Sequence, residues 1–171
     1  GDFLDALEEE IYFLPPDVAE KWEKTEHVDP RPLPEFDPAD KQNGYAIFAR
    51  HWSEIVYPNT VPRQDELNPE LRAFASLGEY EPLTFSVFPF QSLGECRVTV
   101  GDLRAGDSVI SKDNVEIRAV RYMLVRPNYS QFFSYHEAPD VLEDRESLEI
   151  EGGRNQRFWI TVKVPDDARP G

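Results

Sequence analysis

The sequence predicts an all-β protein: an antiparallel two-sheet β-sandwich behind an N-terminal, partly helical, Pro-rich extension. Three observations carry this. From residue 45 onward, apolar residues recur with a period of two in six or more segments, the spacing of half-buried strands. No long helical pattern lies between those segments, which argues against a parallel α/β sheet. The first 43 residues differ in character, with 13 acidic against 4 basic residues and 6 of the chain's 15 prolines. The boundary is placed at Asn43-Gly44, a turn dipeptide. Residues 1–43 are therefore read as the extension and residues 44–171 as the sandwich.

Within the extension, Phe3, Leu7 and Ile11 share one helical face, with Leu4 and Leu14 beside them. Pro15-Pro16 ends that helix. Glu8, Glu9 and Glu10 sit near its C-terminal end, where the helix dipole disfavours anions, so it needs a surface to pack on. A second short helix starts at Asp17, with Glu20 three residues on as a capping box and Trp22 on its apolar face. The stretch from Asp29 to Pro38 carries four prolines and reads as an extended strap across the domain. In the sandwich, strands are expected at Tyr45–Arg50, Leu71–Leu77, Leu83–Phe88, Cys96–Val100, Val115–Leu124 and Phe158–Val164. Within the fifth, Val115, Ile117 and Ala119 give way to Val120, Tyr122 and Leu124 on the other parity. One extra residue near Ala119-Val120, a β-bulge, would produce that slip. Phe85, Val98, Ile117, Ile160 and Val162 are the expected core.

The chain has 171 residues and a net charge of −15. That length is short of a complete (β/α)₈ barrel, which takes about 250 residues. The charge argues against nucleic acid and anionic membrane surfaces, both of which need basic patches. A lone Cys96 allows no internal disulfide and no thiolate zinc site. Its alternation with Val98 reads as a small buried hydrophobe. No leader pattern opens the chain: Gly1-Asp-Phe-Leu-Asp5 has neither a basic n-region nor an apolar h-region.

Few residues suggest chemistry. The adjacent acids Asp65-Glu66 and Glu143-Asp144 are the pairs expected by chance among 33 carboxylates, and solvated loops are their ordinary reading. Glu79 and Glu81 share a strand parity about 7 Å apart, near the spacing of inverting glycosidase carboxyls. Their place before Pro82 suits a structural or interdomain role instead. His27, His51 and His136 have no metal-ligand spacing, so no metal and no cofactor is expected. There is no GxSxG, no P-loop and no EF-hand spacing. Aromatic residues are more suggestive. Trp52, Tyr57, Tyr80, Tyr129, Phe132, Phe133, Tyr135 and Trp159 exceed what one core needs, and Trp159 points outward on its strand. Such residues pack against another domain, anchor loops or stack on sugar rings.

Five segments carry a family resemblance: Ala49-Arg-His-Trp52; Tyr57-Pro-Asn-Thr-Val-Pro62; Gly78-Glu-Tyr-Glu-Pro82 leading into Leu83–Phe88; Val98–Leu103; and Gln156–Gly171. In that order they resemble the N-terminal β-sandwich domain that precedes the catalytic barrel in multidomain bacterial glycoside hydrolases similar to glycoside hydrolase family 123. The resemblance implies a non-catalytic accessory domain of a secreted glycosidase, extracellular or periplasmic, packing against a barrel elsewhere in the parent chain. An independent carbohydrate-binding module is the alternative. The family's catalytic carboxylates lie on the barrel, so none is assigned here. The family pattern continues past Gly171 into a further strand, so the sandwich is expected to lack its last strand. Interdomain or ligand contacts are expected at Trp52, Tyr57, Glu79, Glu81, Tyr129, Phe133, Tyr135, His136 and Trp159, on a mainly monomeric chain.

Overall fold

A computed structural model describes residues 23–125 and 134–169, with Ser134 and Tyr135 described by their backbone alone. The two expected helices before Trp22 lie outside these residues. The fold is all-β and sandwich-like, as the alternation predicts. Ten strands are described: β1 (Glu23–Lys24), β2 (Tyr45–Phe48), β3 (Tyr80–Pro89), β4 (Gly94–Cys96), β5 (Leu103–Ala105), β6 (Ser108–Ile110), β7 (Val115–Val125), β8 (Ser134–Glu143), β9 (Leu148–Ile150) and β10 (Gln156–Lys163). Six form the main sheet in the order β1-β8-β7-β10-β3-β2. Its pairings are antiparallel except that of β1 with the start of β8. β10 is central, with Phe158 opposite both Phe85 and Ala119.

The second layer is smaller than a full sheet. On one face of the main sheet the ribbon β4–β9 supplies Ile150, Leu148 and Cys96, which pack with Val87, Ala119 and Phe158. Of the expected core, Phe85, Val98 and Ile117 pack half-buried against this cluster. Ile160 and Val162 are half-buried further along β10. The other face is covered by irregular chain between residues 49 and 66, over Ala46, Phe48 and Ser86, all 1% exposed or less. A second ribbon, β5–β6, turns at Gly106-Asp107.

Several local expectations are corrected. Residues 71–77 form no strand; they are almost wholly exposed and have no ladder partner, and Phe74 stands 94% exposed. The Cys96–Val100 strand is cut short at Cys96. The bulge lies on the opposite strand: β7 is continuous, and β8 skips Asp140 where Arg121 and Tyr122 face Val141 and Pro139. The parity of β7 changes because its start buries one side, Ala119, while Val120 is buried on the other. Residues 38–43 form a short helix, α1 (Pro38–Asn43). Pro38 opens it, the first helical position where a missing N–H costs nothing. Gly44 closes it at φ 84°, in the left-handed region that glycine adopts without strain.

Candidate functional site

The loop layer is built around charged groups that are themselves buried. Arg50 and Glu66 meet in a two-point pair, Nε to Oε1 at 2.7 Å and Nη2 to Oε2 at 2.9 Å, with side chains only 7% and 5% exposed. Glu66 Oε2 also accepts the Arg63 amide at 2.7 Å, and Arg63 Nη2 reaches Oε1 at 2.7 Å. Burial alone would raise the Glu66 pKa. The Arg50 and Arg63 contacts outweigh it and hold the carboxyl below its ordinary range. Upstream, Asp29 bonds Arg31 and accepts the Val61 amide at 2.8 Å. The Arg31 hydrogen bond is the main reason its carboxyl stays well below the usual carboxylate range. Asn155, 4% exposed, donates to the carbonyls of Tyr57 and Thr60. Strap, loop and sheet are thereby joined.

Arg157 sits near the start of β10 on the same face, 4% exposed. Its guanidinium donates to the Glu54 carbonyl (2.6 Å), the His51 carbonyl (3.0 Å) and Thr84 Oγ1 (2.8 Å). Thr84 in turn donates to the Arg50 carbonyl at 2.7 Å. Among the described residues Arg157 has no carboxylate within ion-pair distance, and its Nε–H has no hydrogen-bond partner. Burial pushes its pKa down. The side chain acts as a clamp: it fastens residues 51–54 to the sheet and so fixes where Trp52 stands.

Trp52, 46% exposed, meets Trp159 edge to face with ring centroids 6.3 Å apart. Between them and β8 runs a groove of about 230 Å³. Its walls are apolar, with Ile55 53%, Val141 40% and Leu142 37% exposed; Glu54 and Asp140 lie at its rim. Two residues expected at a contact surface, Trp52 and Trp159, are thus brought together. A second pair meets elsewhere: Tyr57 packs edge to face on His136 at 5.9 Å and stacks on His27 at 4.1 Å. Glu79 lies in the turn before β3, where its carboxylate accepts the Ser76 amide at 2.7 Å. Glu81 is in β3 opposite Val162. Tyr129 and Phe133 lie outside the described residues, as does the side chain of Tyr135. Among the described residues no group of three or more His, Cys, Asp or Glu is placed to hold a metal ion. No helix among them is long and apolar enough to cross a membrane.

Arg157 and Arg50 were not singled out from the sequence, and Glu66, expected in a solvated loop, is instead 5% exposed because Arg50 and Arg63 pair with it. A signal was available: opposite Arg157 in β3 lie Ser86 and its neighbour Thr84, small polar residues on a strand otherwise rich in aromatics. They leave room for a long side chain.

Residues 54–171, more than half of the chain, match the family described as the glycoside hydrolase 123 N-terminal domain. The chain belongs to this family. No curated protein matches it. Among solved structures it is similar to a family 123 glycoside hydrolase from Clostridium perfringens, described for glycolipid glycan hydrolysis. The two are 24% identical with a TM-score of 0.49, over 57% of this chain and 17% of that one.

Proposed function

We propose that this glycoside hydrolase 123 N-terminal domain is a non-catalytic accessory module that packs against a catalytic barrel carried elsewhere in its parent chain. The observation that carries the reading is the groove where exposed Trp52, Ile55, Val141 and Leu142 gather beside half-buried Trp159. Single exposed hydrophobics are ordinary, but contiguous ones mark a contact surface. The engagement of Glu79 with a backbone amide supports a structural role for the carboxylate that most resembled half of a catalytic pair. The parent is read as a glycosidase with an extracellular or periplasmic setting, and the module as a monomer. The test is turnover of a panel of aryl glycosides by residues 1–171 and by the parent chain. Turnover by the parent alone is expected. Turnover by residues 1–171 that disappears in a Glu79→Gln, Glu81→Gln double variant would overturn the reading.

The exposed ring of Trp52 favours one alternative, a carbohydrate-binding module, because an open indole face stacks on pyranose rings. Titrating neutral oligosaccharides while following tryptophan fluorescence separates the two. Saturable quenching that is lost in Trp52→Ala would favour the alternative.

A further inference from the structure

The Trp52–Trp159 groove does not end at its own walls. Paired residues on neighbouring strands point to the same side of a sheet, and so do residues two apart on one strand. Trp159 pairs with Thr84 and Arg118, Thr161 with Pro82 and Glu116, and Lys163 with Tyr80. These rows therefore share one face. From Trp159 to Lys163 they run for about 13 Å, four residues at ~3.3 Å each. Leu142 pairs with Val120 on the same side. The loop layer covers the Arg157 end of this face. Further along, Tyr80 is 61% and Leu77 57% exposed, with the Lys163 ammonium over the Tyr80 ring at 5.8 Å. Glu116 and Arg118 neutralise each other at 2.6 Å, so the middle of the face carries little net charge on a strongly acidic domain.

The backbone after β10 leaves from this same end. Val164 exchanges hydrogen bonds with Gly78 and Glu79, both at 2.9 Å. Residues 164–169 continue from there, beside Leu77 and Tyr80. A domain that follows β10 therefore starts at the end of the sheet where Leu77 and Tyr80 stand exposed, within reach of this face.

We infer that the face running from Trp52 and Trp159 to Tyr80 is the docking surface for the protein domain that follows residue 171. This rests on the accessory-module reading and adds which side of the sheet the partner occupies. The partner's surface is apolar where it takes up Trp52 and Trp159 at one end of the face and Tyr80 at the other. Basic groups around it would meet Glu54 and Asp140 at the rim. Linked domains hold together through interfaces of this mixed kind.

The experiment compares amide exchange in residues 1–171 with exchange in the parent chain. Slowing by about tenfold or more in the parent at residues 52–55, 77–84 and 159–164 is expected. Slowing confined to β4–β9 or β5–β6, or no difference, would overturn the inference. So would concentration-dependent protection of the isolated domain, which means a second copy, or protection by added neutral oligosaccharide. A Thr161→Arg variant of the parent supplies a second readout. Thr161 is half-buried with its side chain outward, so the melting temperature of residues 1–171 should not move. In the parent, the domains should melt separately and the linker should become open to protease. An unchanged parent overturns the inference. Glycosidase turnover of the parent is scored independently, so loss of the accessory reading is distinguishable from a misplaced surface.

Discussion

Replacing Glu66 with Gln leaves shape and size intact and removes one charge. Arg50 then stays buried at 7% exposure with no carboxylate facing it. Arg63 also loses its 2.7 Å partner but is half exposed, so water compensates it. The cost is therefore dominated by Arg50. Breaking one side of a buried ion pair costs about 3–5 kcal/mol, mainly the penalty of the stranded charge. For a chain of this size each kcal/mol moves Tm by roughly 2–4 °C. A fall of about 6–20 °C is therefore expected, read by circular dichroism at pH 7 with urea unfolding as a check on ΔG. The Arg72–Glu70 pair is the control. Both its side chains are about three-quarters exposed, so Glu70→Gln should cost well under ~1 kcal/mol. The double variant Arg50→Met, Glu66→Leu should recover much of the loss, because an apolar pair leaves no unpaired charge. If Glu66→Gln melts within ~2 °C of the parent sequence, less than ~1 kcal/mol, the pair does not hold the loop layer and the reasoning is refuted.

Arg157→Met should loosen residues 51–54, shift tryptophan emission to the red as Trp52 moves into water, and cost about 1–3 kcal/mol. Three hydrogen bonds at ~1 kcal/mol each are lost, partly offset by removing a buried unpaired charge. Unchanged emission would show that the clamp does not place Trp52. Gly152→Ala should destabilise by more than ~1 kcal/mol, because its new Cβ would stand 2.9 Å from the backbone of Gln91 and Ser92. Gly101→Ala, where a Cβ meets open space, should be near neutral on the same melt. Asp29 and Glu66 titrate lower in the fold than their ordinary 3.8 and 4.5. Their stabilisation is complete above those values and is lost as pH falls below about 4 toward the folded pKa values. A Tm that is flat from pH 7 to 5, falls below 4, and falls less steeply in Asp29→Asn is expected; equal slopes would refute the link.

Much of the sheet was legible because burial on one side enforces a period of two. The alternation of Leu83, Phe85 and Val87, or of Phe158, Ile160 and Val162, is that constraint written out. β8 was not legible. Its Ser134–Glu143 run contains Pro139 together with His136, Glu137, Asp140 and Glu143, and its outer edge pairs only at Ser134 and Tyr135 among the described residues, so little apolar pattern is enforced. The bulge was expected from a parity change in β7, but that change has two causes of the same appearance, an extra residue or burial on both sides. Trp52 and Trp159 were both legible as surplus aromatics. Their meeting was not, since it depends on Arg157, an arginine in a strand that ordinary burial statistics place in water. The groups that matter most to the site are long-range hydrogen bonds to backbone carbonyls, and carbonyls leave no mark on a sequence.

The position of β10 also sets a schedule. It pairs with β7 on one side and β3 on the other, and it brings Arg157 to carbonyls of residues 51 and 54, 106 and 103 positions earlier. Asn155 closes contacts of similar span. Until residues 155–163 have been synthesised, β2–β3 and β7–β8 remain separate hairpins with no strand between them, and the loop that carries Trp52 has nothing to fasten to. Long loop closures of this kind slow folding and expose strand edges while they are pending. On the ribosome, at roughly 5–20 residues per second, that leaves the first hairpin waiting for several seconds. Its −9 of charge at the N-terminal end travels with it through that interval, holding nascent copies apart before the sheet can close.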